Sequence, residues 1–340
     1  MCSMGVCRFF NEVNRTTASP RKLNTKDLRN RADLRNSAQV GGELSFFPIV
    51  LSVTKERNMI IEAAVGDAFG AGYEYVKHKG IHDAAQVQYV QHPRHKATKP
   101  GMYTDDTQMA MAIAELLVSG EDWTALNIAN KFVEVFHRDP REGYAHRFYD
   151  FLRETRSGEQ FLRNIHNDSD KSGAAMRAWP IAVLPDVDEI REKCTLQAAV
   201  THNTIAGKQA AIASALMSHY FIYRKGSVAR MKHWVQQNVG GQWDKDYEGK
   251  VGSKGWMSVS AAITAVSRNT KLSELLLDCI NFGGDVDTVA TIALAAASCS
   301  IDYEQDLPPQ LLAGLENQKF GKDYLESLDK KLGSLIQRES

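Results

Sequence analysis

The chain has 340 residues, 43% hydrophobic and 24% charged, with 41 basic side chains against 41 acidic ones and a net charge of zero. That size suits one large core or two modest domains, and the neutral balance removes any whole-molecule argument for a nucleic-acid or membrane partner. Five scattered cysteines (Cys2, Cys7, Cys194, Cys279, Cys299) without a CxxC pair argue against a disulfide framework or a zinc site and fit a reducing compartment.

The stretch "MCSMGVCRFF" lacks a basic segment followed by an apolar one, so no secretory signal is expected and the cytoplasm is the expected compartment. Between Met1 and Gly42, eight Lys/Arg face three Asp/Glu, a local net of +5, and large apolar residues are scarce. Such a segment cannot build its own core. Residues 1–55 therefore read as an Arg-rich arm, flexible or partner-binding, and residues 56–340 as one domain.

From Lys55 onward the pattern is helical. "RNMIIEAAVGDAFGAGYEYV" starts as a helix and is expected to break at its glycines. "TQMAMAIAELLVSG" spaces Met109, Ile113 and Leu116 on one helical face and stops at Gly120. "WTALNIANKFVEVFHRD" repeats that period with Leu126, Ile128, Phe132, Val135 and Phe136. "GKQAAIASALMSHYFIYRKG", "WMSVSAAITAVSRN", "KLSELLLDCINFGG" and "TVATIALAAASCS" follow as further helices. Alternating β-branched runs and solenoid repeats are missing, so the expected class is all-α. The segment Thr288 to Ile301 carries no charge and is rich in alanine. It is too short to span a bilayer, and it is the expected central helix, surrounded on all sides.

Two acidic clusters stand at helix starts. "YTDDTQM" places Asp105 and Asp106 between Thr104 and Thr107; "GGDVDTVA" places Asp285 and Asp287 ahead of Thr288. Capping uses one Asp or Thr at such a position, so each cluster has more carboxylates than a cap needs. If both helices begin at one end of the bundle, four carboxylates meet. Unpaired buried ions cost several kcal/mol each, and neither cluster has a Lys or Arg beside it. All-oxygen donors select a hard cation, Mg²⁺ or Mn²⁺ ahead of Ca²⁺, and two divalent ions would balance four carboxylates.

"GDAFGAGYE" (Gly66 to Glu74), "YTDDTQM", "SGAAMRAWP" (Ser172 to Pro180), Thr201-His202 and "GGDVDTVA" occur in that order. Together they resemble the ADP-ribosylglycohydrolase family, relatives of the dinitrogenase-reductase activating glycohydrolase, over about residues 57 to 300. The resemblance implies a compact orthogonal helical bundle with a central Ala-rich helix. It implies two Mg²⁺ (or Mn²⁺) ions on Thr104, Asp105, Asp106, Asp285, Asp287 and Thr288, and hydrolysis at the anomeric C1″ of ADP-ribose. Asp106 or Asp287 is implied as base, and Glu74 as a gating or acid–base group over the metal site. Ser172, Gly173, Ala174 and Met176 are implied along the ADP-ribose, where consecutive amides cradle the pyrophosphate; the usual family pattern has Asn in place of Ser172. His202 is implied near the phosphates or adenosine. Gly143 and Tyr144, in "HRDPREGYAHRF", are implied in the ribose pocket. Trp256 stacks on adenine or packs in the core, and the core is expected. The family usually has glycines where this chain has Ala295, Ala296 and Ala297.

The expected substrate is an ADP-ribosylated protein, with ADP-ribosyl-arginine first and ADP-ribosyl-serine second. An immunity role against an ADP-ribosyltransferase toxin is a further expectation. The Arg-rich arm supplies an alternative: a stoichiometric inhibitor that occupies the acidic acceptor site of such a toxin.

Overall fold

The computed structural model describes residues 59–76 and 87–336; the expected arm, residues 1–55, lies outside them. Fourteen α-helices form within that region and no β-strand does, as the all-α expectation requires. In chain order, α1 spans Met59–Ala71, α2 Asp105–Ser119, α3 Ala125–Arg138, α4 His146–Glu154, α5 Gly158–Asn164, and α6 the single turn Gly173–Met176. A 3₁₀ turn, Trp179–Val183, leads to α7 Val187–Ala199, α8 Ile205–Ile222, α9 Val228–Val239 and α10 Gly255–Arg268. Then come α11 Leu272–Asn281, α12 Val286–Ala297, α13 Pro309–Gly314 and α14 Lys322–Gly333. Among the described residues, no helix is long and apolar enough to cross a membrane.

The uncharged segment is the central helix. Every residue of α12 is buried, and it packs against α1, α2, α6, α8, α10 and α11. Each fully buried Ile, Leu or Val there contributes roughly 1.5–3 kcal/mol, while the alanines keep the helix narrow enough for six neighbours.

The glycines of α1 depart from expectation. Gly66 and Gly70 do not end the helix; it runs through both to Ala71. Each instead marks a close approach by α12. A methyl group on Gly66 would lie 2.7 Å from the Ala290 carbonyl oxygen, and one on Gly70 would lie 2.8 Å from the Asp287 amide nitrogen. Spaced one helical turn apart, the two glycines form a flat track for α12.

α2 ends at Gly120, whose φ of 72° is left-handed, as its terminal glycine predicts. Of the apolar positions expected on α3, Ile128, Phe132, Val135 and Phe136 are buried, whereas Leu126 is exposed. It occupies the second position of the helix, beyond the face that meets the core.

Candidate metal centre and ligand loop

Neither acidic cluster uses a carboxylate for the N-cap bond, although Asp287 Oδ1 accepts the first-turn amide of Thr288 at 2.9 Å. At α2 the cap is Thr104, whose hydroxyl accepts from the Asp106 amide, so Asp105 and Asp106 are left over. At α12 the cap position is Asp285, and it makes no side-chain capping bond. Its oxygens instead receive the Ser258 hydroxyl at 3.2 Å and the Thr288 hydroxyl at 3.4 Å, together with a hydrogen bond from the Ser172 side chain.

The two clusters meet. Asp106 is hydrogen-bonded to the Thr288 side chain and feels the charges of Asp105, Asp67 and Asp285. Carboxylate oxygens of Glu74, Asp285 and Asp287 all lie within 4.8 Å of one another. Thr104, Asp105, Asp106, Asp285, Asp287 and Thr288 are each at most 9% exposed. Among the described residues, one buried Asp106 oxygen, Oδ1, has no hydrogen-bond partner.

Burial first, then mutual repulsion, drives the acids toward their protonated forms. Asp105, Asp106 and Asp287 are pushed well above the ordinary carboxylate range, and Asp285 to about 6. Glu74 goes the other way. Burial works to raise it, but His92, with Nε2 3.2 Å from Oε2, and Arg94, with Nη2 at 2.9 Å, outweigh that and lower its pKa. The aspartates, unlike Glu74, have no cationic side chain paired with them among the described residues, so they ionise together only with an added positive charge. An orphaned carboxylate oxygen, a crowd of oxygen donors and a surplus of negative charge together fit a hard divalent cation.

The architecture below this centre includes a residue to which the sequence reasoning gave no role. Asp67, wholly buried on α1, accepts four donors from the start of α2. The Thr104 amide lies 3.0 Å from Oδ2 and the Thr104 hydroxyl 2.8 Å from Oδ1. The Thr107 amide and hydroxyl reach Oδ2 at 2.9 and 2.7 Å. Its signal was a lone charge inside the otherwise apolar, glycine-flanked "GDAFG" segment. Burial raises its pKa while these four bonds hold it down. Asp67 thus pins the first turn of α2, and with it Asp105 and Asp106.

The second cluster is pinned by loop backbone. Gly284, at φ 97°, leaves no room for a side chain against Val251. Val251 donates to Gly283 O at 2.9 Å and accepts from the Asp285 amide at 3.2 Å. Tyr75 donates its amide to Gly284 O at 2.8 Å, which docks the Glu74 loop beside Asp285.

The expected ligand loops lie around the centre, with corrections. Gly143, at φ 114°, faces Asp105 so closely that a methyl group there would overlap its carboxylate. Tyr144 does not line an open pocket. It is buried with Phe136, Phe148 and Tyr149, and its hydroxyl donates to Gln108 at 2.7 Å. Ser172 reaches Asp285, and Gly173 packs on the His202 ring, since a methyl group there would lie 3.0 Å from Cε1. Ala174 and Met176 point into the core. The Ala175 and Met176 amides both return to Ser172 O, at 2.8 and 3.0 Å, so they are spent within the turn rather than offered to a ligand. Trp256 is not a core residue: it is 46% exposed, and with Gln209, Trp243, Tyr247 and Ser260 it lines a cavity of about 380 Å³. It occupies the first turn of α10, its ring 6.2 Å from that of Tyr247.

Comparisons with known proteins give the family and the fold. A family model described as ADP-ribosylglycohydrolase matches residues 55–340. An ADP-ribosylhydrolase ARH3 of Xenopus tropicalis is 23% identical, the match covering 81% of this chain and 95% of that protein. An ADP-ribosyl-[dinitrogen reductase] glycohydrolase of Rhodospirillum rubrum is 27% identical, covering 74% of this chain and 87% of the relative. A solved structure titled as an ADP-ribosylglycohydrolase-related protein complex superimposes with a TM-score of 0.61 at 21% identity, over 83% of this chain and all of that one, and so shares the fold.

Proposed function

The chain belongs to the ADP-ribosylglycohydrolase family, and on that premise we propose that it removes ADP-ribose from a modified protein side chain, with two Mg²⁺ or Mn²⁺ ions held by Thr104, Asp105, Asp106, Asp285, Asp287 and Thr288. The observation that carries this reading is the meeting of two surplus carboxylate pairs around an orphaned Asp106 oxygen. When bound, hard divalent ions neutralise the aspartates, orient a ribose diol and lower the pKa of water.

The remaining work falls to the protein. Hydrolysis breaks the bond from C1″ to the acceptor atom, gives the water oxygen to C1″ and delivers a proton to the leaving group. Asp106 and Asp287 are the groups beside this centre that can take the water's proton. Glu74, kept ionised by His92 and Arg94, stands at the rim beside Asp285 and Asp287. Gly143 leaves space against Asp105 where a side chain would intrude on the sugar. Ser172, Gly173 and His202 form the adjoining edge for the diphosphate, and the exposed Trp256 ring offers a stacking face for adenine.

Arginine is the first acceptor to test and serine the second; with two divalent ions neutralising the aspartates, the charge of the centre does not choose between them. Incubation of an arginine-ADP-ribosylated protein with the wild type and with Asp105→Ala/Asp287→Ala, with and without Mg²⁺, tests the reading. Release of ADP-ribose by the wild type with metal alone supports it. Release from a serine-linked substrate only would move the linkage to serine, and no release from either would overturn the hydrolase. Reversal of a toxin's modification extends the proposal to immunity. A chain lacking residues 1–55 separates hydrolysis from inhibition by the arm: undiminished binding of a toxin transferase by that chain removes the arm from the mechanism.

A further inference from the structure

Arg177 is buried to 1% exposure, and among the described residues it has no carboxylate partner. Its guanidinium lies over the Phe132 ring at 4.5 Å. Nε donates to the Gln197 side-chain oxygen at 2.7 Å, and Nη2 donates to Gln197 O at 3.0 Å and to the Thr201 hydroxyl oxygen at 2.8 Å. The same Thr201 oxygen is 2.6 Å from His202 Nδ1.

These contacts fix the direction of every proton in the chain. Arginine can only donate, so Thr201 Oγ1 accepts from Arg177. The Thr201 hydroxyl proton then needs an acceptor, and among the described residues His202 Nδ1 is the one within reach. If Nδ1 carried a proton instead, two N–H groups would point at one oxygen, and a hydroxyl in a residue 4% exposed would lose its acceptor. Nδ1 is therefore the lone-pair nitrogen and Nε2 carries the hydrogen. Nε2 has no partner among the described residues, and it lies on the side of the ring that faces Gly173.

We propose that Arg177, acting through Thr201, is a positioning device that locks His202 in its neutral Nε2–H form as an obligate hydrogen-bond donor to the diphosphate of ADP-ribose. The ligand assignment rests on the functional reading above; the proton order rests on geometry alone. The chemistry fits an anion. Phosphate oxygens only accept, and the other tautomer would present a lone pair to them. The buried, acid-free guanidinium adds a fixed positive charge behind the loop, while burial and that same charge keep the imidazole neutral. Gln197 ties the device to the loop, because its amide nitrogen donates to Ala174 O at 2.9 Å.

Nitrogen NMR of the histidine-labelled full chain reads the tautomer directly, in the wild type, Thr201→Val and Thr201→Ser. Calorimetry with ADP-ribose and with adenosine accompanies it. The wild type and Thr201→Ser are expected to show His202 protonated at Nε2. Thr201→Val is expected to show a mixture of tautomers and to bind ADP-ribose on the order of tenfold more weakly, with adenosine affinity unchanged. A wild-type signal protonated at Nδ1 would overturn the proposal by itself, even if the valine variant does not fold. So would a Thr201→Val protein that keeps the Nε2–H form, or a serine variant that fails to restore it. A wild type with the Nε2–H form but no affinity for ADP-ribose would leave the relay standing and overturn its ligand.

Discussion

Gly70 lies directly against Asp287: a methyl group added to Gly70 would meet the Asp287 amide nitrogen at 2.8 Å and its Cβ at 3.1 Å. The floor of the acidic centre is thus one helix backbone resting on another. In an isolated helix, Gly→Ala stabilises by about 1 kcal/mol. Here the methyl group has to displace the first turn of α12, and overpacking costs about 1–3 kcal/mol. Gly70→Ala should lower stability in urea by about 1–2 kcal/mol and weaken Mn²⁺ binding at least tenfold, measured by calorimetry. Unchanged Mn²⁺ affinity would show that α1 does not seat Asp287.

Asp67→Asn tests the anchor beneath α2. The amide group turns one of the two accepting oxygens into a donor facing the hydroxyls and amides of Thr104 and Thr107. Leaving buried donors without an acceptor costs about 1–3 kcal/mol. Thermal denaturation should show that loss, and hydrolysis should fall with it because Asp105 and Asp106 are no longer held. A variant as stable as the wild type would remove Asp67 from this role.

The acidic centre should trade stability against cation binding. Without a cation, Asp106 is buried among like charges with an unpartnered oxygen. Asp106→Asn in the presence of a chelator should therefore raise the melting temperature above that of the wild type. Adding Mg²⁺ should stabilise the wild type by mass action and leave the variant nearly unmoved. Equal Mg²⁺-induced shifts in the two proteins would argue against a cation at Asp106.

A second buried acid gives a pH dependence far from that centre. Asp329, on α14, accepts the Ile60 amide at 2.9 Å at the start of α1, and burial lifts its pKa to about 7. The folded pKa stands above the ordinary aspartate value of 3.8, so the folded form binds the proton more tightly than the unfolded chain does. Stability from this group is full below pH 4 and is lost as pH rises to about 7 and beyond, by up to about 4 kcal/mol. Asp329→Asn should flatten that part of the urea-midpoint profile, between about pH 4 and 7. An identical profile for the two proteins would discard the assignment.

Trp256 separates a binding role from a packing one. At 46% exposure, its replacement by Ala should change stability by no more than about 0.5 kcal/mol. If adenine stacks on it, ADP-ribose affinity should fall by about 1–3 kcal/mol, the range for base–aromatic stacking. A large stability loss would restore the core expectation.

Much of the fold was legible from local pattern. The helical period of Met109, Ile113 and Leu116, the stop at Gly120 and the uncharged run from Thr288 all follow from residues within a few turns of one another. The surplus of Asp beside each cap was likewise visible, because a cap has a fixed and small demand for acceptors. The ligand loop was less legible. Ser172 reaches Asp285 and Gly173 the His202 ring, but Ala174 and Met176 are core residues, since a one-turn helix buries most of what it carries, and Tyr144, in the loop before α4, packs into the same core. Gly66 and Gly70 were misread because a glycine's local preference for turns is the same whether or not another helix presses against it.

By itself the sequence determined the helices, the two acidic starts and the oxygen-only chemistry they offer, all of which depend on neighbouring residues and on donor type. Only the tertiary structure decided that the starts of α2 and α12 share one end of the bundle, that Asp67 and Gly70 on α1 are the supports beneath them, and that Arg177 sets the proton order of His202. Those relations join residues distant in the chain through hydrogen bonds and van der Waals contact. Such forces act over a few ångströms of space, whatever the separation along the sequence.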